Sequence, residues 1–292
     1  MNRRLLRVVG LGLVLTGPVM VAPAHGQARV VLTGGTLIDG TGAAPLPGAR
    51  IVIEAGRFTC ISDAAGCPGL PGDRVVDLTG RWVSPGLIDT HVHLPYGRDT
   101  TRLARFQRLR FALGITTVRD AGSPHVEPLL RERATSDAPT IPAPRLVVSA
   151  RVLPEYAERY DVALGAPLVR HLAALGADAI KLKEPFDNEI WREEIQAARE
   201  SGIPVWGHTA GGPPPTVFTR EAIAAGISGI THLMNIAPAA QRPGTLGTPP
   251  DSATDPWAWH KALWVRADQA LLDSIISEMV AQGVWFEPTM AA

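Results

Sequence analysis

Charge of one sign is what this chain lacks most plainly: 28 basic and 28 acidic residues cancel. With no net positive field and no basic run, nothing in it is built to hold a nucleic acid backbone. There is no low-complexity tract and no long block of like charge, so an extended disordered tail is excluded as well. Cysteine is scarce. Two in 292 residues cannot make a disulfide-built scaffold, so the fold must rest on an apolar core. The 46% hydrophobic content is enough for one. No glycine-rich phosphate fingerprint follows any strand-like segment, which argues against a nucleotide-binding doubly wound sheet.

The first 28 residues stand apart. MNRRLLR is basic, VVGLGLVLTGPVMVA is apolar, and PAHGQA supplies small residues for cleavage. This is the pattern of a secretory signal peptide, and it predicts a periplasmic or secreted protein with no stable membrane insertion after cleavage. An uncleaved anchor is the other reading, but the run is short and interrupted by Gly10, Gly12, Gly17 and Pro18. In an oxidising compartment Cys60 and Cys67, in FTCISDAAGCPG, can form a structural disulfide; two separate thiols are the alternative.

Residues 29–83 read as short β-branched strands broken by glycine, a small β-sandwich piece. Gly56 is placed to turn a hairpin between Ile51–Ile53 and Phe58–Cys60. From residue 84 to 292 the pattern changes. Helix-favouring stretches end at Gly114, Gly176, Gly202, Gly226 and Gly283, and a short apolar run follows each. Glycine at these points can take the left-handed conformation that stops a helix. Leu103, Phe106, Leu109 and Leu113 recur at helical spacing, Asp187 caps a helix from Asn188, and Arg266–Gln282 is another helical stretch. Helix then strand, repeated, implies a parallel sheet with crossover helices. Seven strands are expected near Leu87–His91, Ile115–Val118, Arg145–Ser149, Ala179–Leu182, Val205–His208, Ile230–His232 and Val284–Glu287. The closed form of the pattern is the α/β (β/α)8 TIM-type barrel, here incomplete; an open doubly wound sheet is the alternative.

In a barrel, function collects at the C-terminal strand ends. His91 and His93 end the first barrel strand, Lys181 lies in the fourth, His208 ends the fifth and His232 the sixth. Side chains two apart on a strand share a face, so His91 and His93 can chelate one cation. Each signal alone is weak. Their agreement on one rim is what carries weight.

PGLIDTHVHL, GITTVRDAG, GADAIKL and the two later strand-end histidines, in that order, resemble the metal-dependent amidohydrolase superfamily, in particular its binuclear imidazolonepropionase- and prolidase-like branch. The resemblance implies two divalent ions, zinc by expectation: His91 and His93 on the first, His208 and His232 on the second. Lys181, carboxylated by carbon dioxide, would bridge them. Lys183 shares the strand face and is its rival; Lys181 follows the GADAI segment as in the family. The resemblance further implies a hydroxide held by the two metals that attacks an amide, lactam or dipeptide carbonyl, so the expected partner is a small-molecule substrate. The single-metal deaminases of the superfamily carry a glutamate three residues after the fifth-strand histidine, where this chain has Gly211.

One part of the family pattern is not found. The acid–base aspartate of the eighth strand has no counterpart, and the chain reads as lacking that strand. Asp120 is the nearest substitute, with a loop-capping role as the plainer reading. The expectation is therefore a C–N hydrolase architecture whose 292-residue chain is inactive or nearly so; a secreted metal-binding pseudoenzyme is the non-enzymatic alternative. Two softer features are the Pro/Gly-rich insertion from Asn235 to Trp264, either a lid or substrate wall or a loop packed down by Trp257, Trp259 and Trp264, and Tyr156 and Tyr160, which could reach a substrate.

Overall fold

The structure is a computed structural model that describes residues 29–290 except 64, 96–99, 139–141, 184–186, 212–215 and 248–255. The signal peptide read in residues 1–28 lies outside the described residues. The chain divides into two compact units, residues 1–85 and 86–292.

The first unit holds β1 (Val30–Leu37), β2 (Leu46–Glu54), β3 (Arg57–Ser62), β4 (Arg74–Asp77) and β5 (Trp82–Val83). They form one mixed sheet, ordered β3-β2-β1-β4 with β5 also on β1, where a small sandwich piece was expected. The β2–β3 hairpin turns at Ala55 (φ +49°) and Gly56 (φ +73°), the two positive φ values a tight turn between twisted strands requires. Cys60 and Cys67 are joined as a disulfide, with Cα atoms 5.9 Å apart. Cys67 is fully buried with Val31 and Val52.

The second unit is a curled sheet of seven parallel strands: β6 (Leu87–Val92), β7 (Ile115–Ser123), β8 (Arg145–Arg151), β9 (Ala179–Leu182), β10 (Val205–Gly207), β13 (Gly229–Thr231) and β14 (Trp285–Glu287). They are hydrogen-bonded in chain order, with β6 and β14 at the two ends. This is an incomplete (β/α)8 barrel. A separate two-stranded ribbon, β11 (Ala210–Gly211) with β12 (Thr216–Val217), follows β10. The helices are α1 (Thr100–Ala112), α2 (Val126–Ser136), α3 (Pro154–Arg159), α4 (Ala166–Ala174), α5 (Asn188–Glu200), α6 (Thr219–Ala225), α7 (Pro256–Val265) and α8 (Gln269–Gln282).

The local signals act as expected. Asp187 Oδ1 accepts from the backbone N–H groups of Glu189 and Ile190, both at 2.9 Å, and Asp268 caps α8 in the same way. Gly226 and Gly283 end α6 and α8 in the left-handed conformation. The central strands pack Val118, Leu146, Val148 and Ile180 into the core shared with the helices, while the end strands β6 and β14 keep Leu87, Ile88 and Phe286 exposed. Two expectations fail in detail. Leu103 is buried, but Leu109 and Leu113 are exposed; ten residues at about 100° each leave Leu113 roughly 80° round the helix from Leu103. The insertion from Asn235 to Trp264 is not all loop, because α7 occupies its end. Its Pro256 starts the helix, where a missing N–H costs nothing.

Candidate metal centre

The five side chains singled out in the sequence come together at the C-terminal end of the curled sheet. The ring centroids of His91 and His93 are 5.3 Å apart, those of His91 and His232 5.0 Å, and those of His208 and His232 4.7 Å. His93, Lys181, His208 and His232 line a cavity of about 280 Å³, with Ala121, Gly122, Arg151 and Lys183. Lys183 therefore also faces it, so position alone does not separate the two lysines. Burial does: Lys181 is 2% exposed, whereas Lys183 is half-buried.

Lys181 Nζ has no hydrogen-bond partner among the described residues; its nearest feature is the Trp206 ring, 3.9 Å away. A buried ammonium without a partner is unstable. Burial first, then the positive charges of Arg119, Lys183 and Arg151, drive its pKa far below the usual lysine value, against the opposing pull of Glu287. Burial thus favours the uncharged amine over the ammonium. Gly122 makes room for it: a Cβ there would stand 2.6 Å from Lys181 Cγ, and Gly122 has φ +101°.

Three of the histidines are pushed toward the neutral form. Burial, then Lys181, pushes His208 far down and His232 to about 4; burial and His91 lower His93. Neutral imidazole is the form that binds a cation. His232 adopts φ +68°, which non-glycine residues seldom do, and its N–H donates to the Glu287 carbonyl at 2.7 Å. Its Nδ1 is 2.6 Å from Thr289 Oγ1, whose own proton goes to the Pro288 carbonyl. The hydroxyl oxygen therefore accepts from Nδ1–H, and His232 Nε2 is left bare.

Glu287, at the end of β14, belongs to this centre and escaped the sequence reading. Its carboxylate contacts His91 Nδ1 at 2.9 Å, Arg119 Nη2 at 2.7 Å and Thr231 Oγ1 at 3.2 Å. Burial pushes its pKa up, but the bond to His91 and the charge of Arg119 outweigh that and carry it to about 2. A signal was available: Glu287 is a charged residue at the C-terminal end of a barrel strand, the criterion that picked Lys181. Arg119 and Trp206, which stack at 4.0 Å, gave no such signal because they lie inside the strands.

Asp120 is buried and accepts from the backbone N–H groups of Leu94, Gly122 and Ser123. Burial lifts its pKa to about 6 against those donors. It ties Leu94, just after β6, to the last residues of β7, a backbone-capping role like the plainer reading. Tyr156 and Tyr160 are not at the mouth. The Tyr156 hydroxyl accepts from Val126 N–H at 2.8 Å, and the Tyr160 hydroxyl donates to Glu127 on α2. Trp264 instead lines a second cavity, of about 380 Å³, with Leu233, Met234, His260, Lys261, Pro288 and Thr289. It adjoins the histidines through the His232–Thr289 contact.

Among the described residues, no group of three or more His, Cys, Asp or Glu side chains is arranged to hold one metal ion. The arrangement implied by the resemblance would give each ion only two histidines, with the remaining shared ligand made from a lysine. The donor set fits such a pair: four imidazoles, and a buried amine that no hydrogen bond satisfies among the described residues.

Residues 82–292 match the amidohydrolase family. The chain is 27% identical over 226 residues to an adenine deaminase of Rubrobacter xylanophilus, covering 72% of this chain and 37% of that protein. It is 31% identical over 120 residues to an enamidase of Eubacterium barkeri, covering 40% of this chain and 31% of that one. The chain thus spans about a third of the length of these curated relatives. Among solved structures, a molinate hydrolase superposes with TM-score 0.58 at 20% identity, covering 90% of this chain and 73% of that one. A prolidase complexed with N-methylphosphonate-L-proline gives TM-score 0.58 at 19% identity, covering 89% and 77%. At such identities these likenesses speak to the fold alone. With the family match running over most of the chain, the conclusion is that it belongs to the amidohydrolase family.

Proposed function

We propose that this chain carries the metal site of a hydrolase acting on carbon–nitrogen bonds of amides, lactams or dipeptides, with two divalent ions, zinc by preference. Proteins of this family generally use divalent metals. The observation that carries the reading is the meeting of four imidazoles around one buried amine that has no hydrogen-bond partner among the described residues. His91 and His93 would hold one ion, His208 and His232 the other. Lys181 would join them as a carbamate. Its neutral Nζ attacks carbon dioxide, an N–C bond forms, one proton leaves to solvent, and the product is an anion with two oxygens. A bound metal pair supplies a polarised carbonyl and a water acidic enough to attack at neutral pH.

The chain's own residues explain the rest. Trp206 and the strand walls keep Lys181 dry, and dryness keeps its amine nucleophilic. The cavity walled by Trp264, Leu233, Met234 and Pro288 suits an apolar part of a substrate. What the described residues do not offer is an uncommitted acid for the leaving nitrogen. Asp120 is engaged by three backbone donors and Glu287 by Arg119 and His91. The proposal for the 292-residue chain is therefore metal loading with little or no turnover, and export directed by residues 1–28.

Purified chain, loaded with zinc in bicarbonate, would be assayed on N-acyl amino acids, Xaa-Pro dipeptides and lactams. Zinc binding with negligible hydrolysis is expected. Rapid hydrolysis would refute the inactivity, and absence of zinc binding would refute the whole reading. The similarity to an adenine deaminase favours a second reading, a deaminase, taken here in the single-metal form. It predicts about one ion per chain and an unmodified Lys181.

A further inference from the structure

We propose that Glu287 is the positioning residue of His91: it fixes the ring with its proton on Nδ1 and so commits Nε2 to a cation. The inference rests on the metal-site reading above. Neutral imidazole carries one proton, and which nitrogen holds it is set by what the other nitrogens' neighbours accept. A carboxylate paired with an arginine only accepts. At 2.9 Å from His91 Nδ1, Glu287 Oε2 therefore demands the proton there.

The carboxylate cannot turn away. Its other oxygen takes Arg119 Nη2 at 2.7 Å, and Thr231 Oγ1 donates to Oε2 at 3.2 Å. Arg119 is itself pinned: its Nε donates to the Thr90 carbonyl at 2.8 Å, and its guanidinium lies over the rings of Trp206 (4.0 Å) and Trp285 (4.7 Å). The His91 ring meets Trp206 edge-on at 5.9 Å. The contact spans the two end strands of the sheet, β14 and β6, and a sequence separation of 196 residues. A tie of that kind could serve stability alone, so the test must read the ring itself.

The readout is the side-chain 15N–1H correlation spectrum of the metal-free 292-residue chain, with His91 assigned by the His91→Gln variant. The expected result is His91 protonated on Nδ1 and bare on Nε2. Adding zinc should then shift the Nε2 resonance and leave Nδ1–H in place. In Glu287→Ala the single tautomer should give way to a mixture, and zinc affinity should fall about 10- to 100-fold, the usual cost of losing such a partner. A wild-type His91 protonated on Nε2 overturns the proposal even if the variant does not fold. If zinc shifts the other histidines and not His91, the proposal fails while the metal reading survives. If no histidine responds to zinc, the metal reading fails, and the commitment of His91 fails with it.

Discussion

Glu194 offers a prediction whose sign follows from its burial. It sits on α5 at 1% exposure, with Oε1 lacking a hydrogen-bond partner among the described residues. Burial first, then the carboxylates of Glu193 and Asp187, raises its pKa from 4.5 to about 8. Below 4.5 the group is protonated in both folded and unfolded chains and costs nothing. As pH rises through 4.5 the unfolded chain releases its proton while the folded one keeps it, so stability falls. The loss levels off once pH passes about 8 and the folded group ionises too. At about 1.36 kcal/mol per unit, the full penalty is roughly 5 kcal/mol, of which about 3 is present near neutrality. Glu194→Gln keeps the shape and removes the titration. Urea unfolding of wild type and variant at pH values from about 5 to 9 measures the difference, in which all other titrating groups cancel. The variant should gain on the wild type as pH rises from about 5 and stop gaining above about 8. A difference that stays flat would refute the reasoning.

Other outcomes follow from single contacts. Replacing Cys60 and Cys67 by serine opens a loop with a sequence separation of 7, which should cost the first unit roughly 2–3 kcal/mol by the chain-entropy relation, read in urea melts with and without reductant. Gly122→Ala forces a Cβ against the Lys181 stem at a positive φ; zinc titration should show a loss of affinity of at least about tenfold, with strain on the order of 1–3 kcal/mol. Asp120→Ala strands three backbone donors and should destabilise by roughly 2–4 kcal/mol in the same melts; a change below about 0.5 would contradict the backbone-capping role.

Much of the barrel could be read from the sequence because its signals are local. A glycine that stops a helix and a short apolar run that follows it recur through the chain, and all five such glycines have positive φ. The five side chains that meet at the strand ends were legible for a related reason: a charged or imidazole side chain at the end of a barrel strand has no structural excuse. Glu287 met the same criterion and was passed over because its strand was read only as the last one. Arg119 was invisible, since its role depends on Trp206 and Trp285, 87 and 166 positions further on. The fate of Tyr156 was equally hidden, because its partner is a backbone N–H on α2 rather than anything its own segment announces.

The central claim is that Lys181 becomes the shared anionic ligand of two ions held by His91, His93, His208 and His232. Zinc content of the dialysed chain, measured with 13C-bicarbonate present so that a lysine carbamate is seen by 13C spectroscopy, tests it most directly. The account predicts about two zinc ions per chain and one carbamate signal, both lost in Lys181→Met and retained in Lys183→Met. Two ions bound with no carbamate, or a carbamate that persists in Lys181→Met, would contradict it.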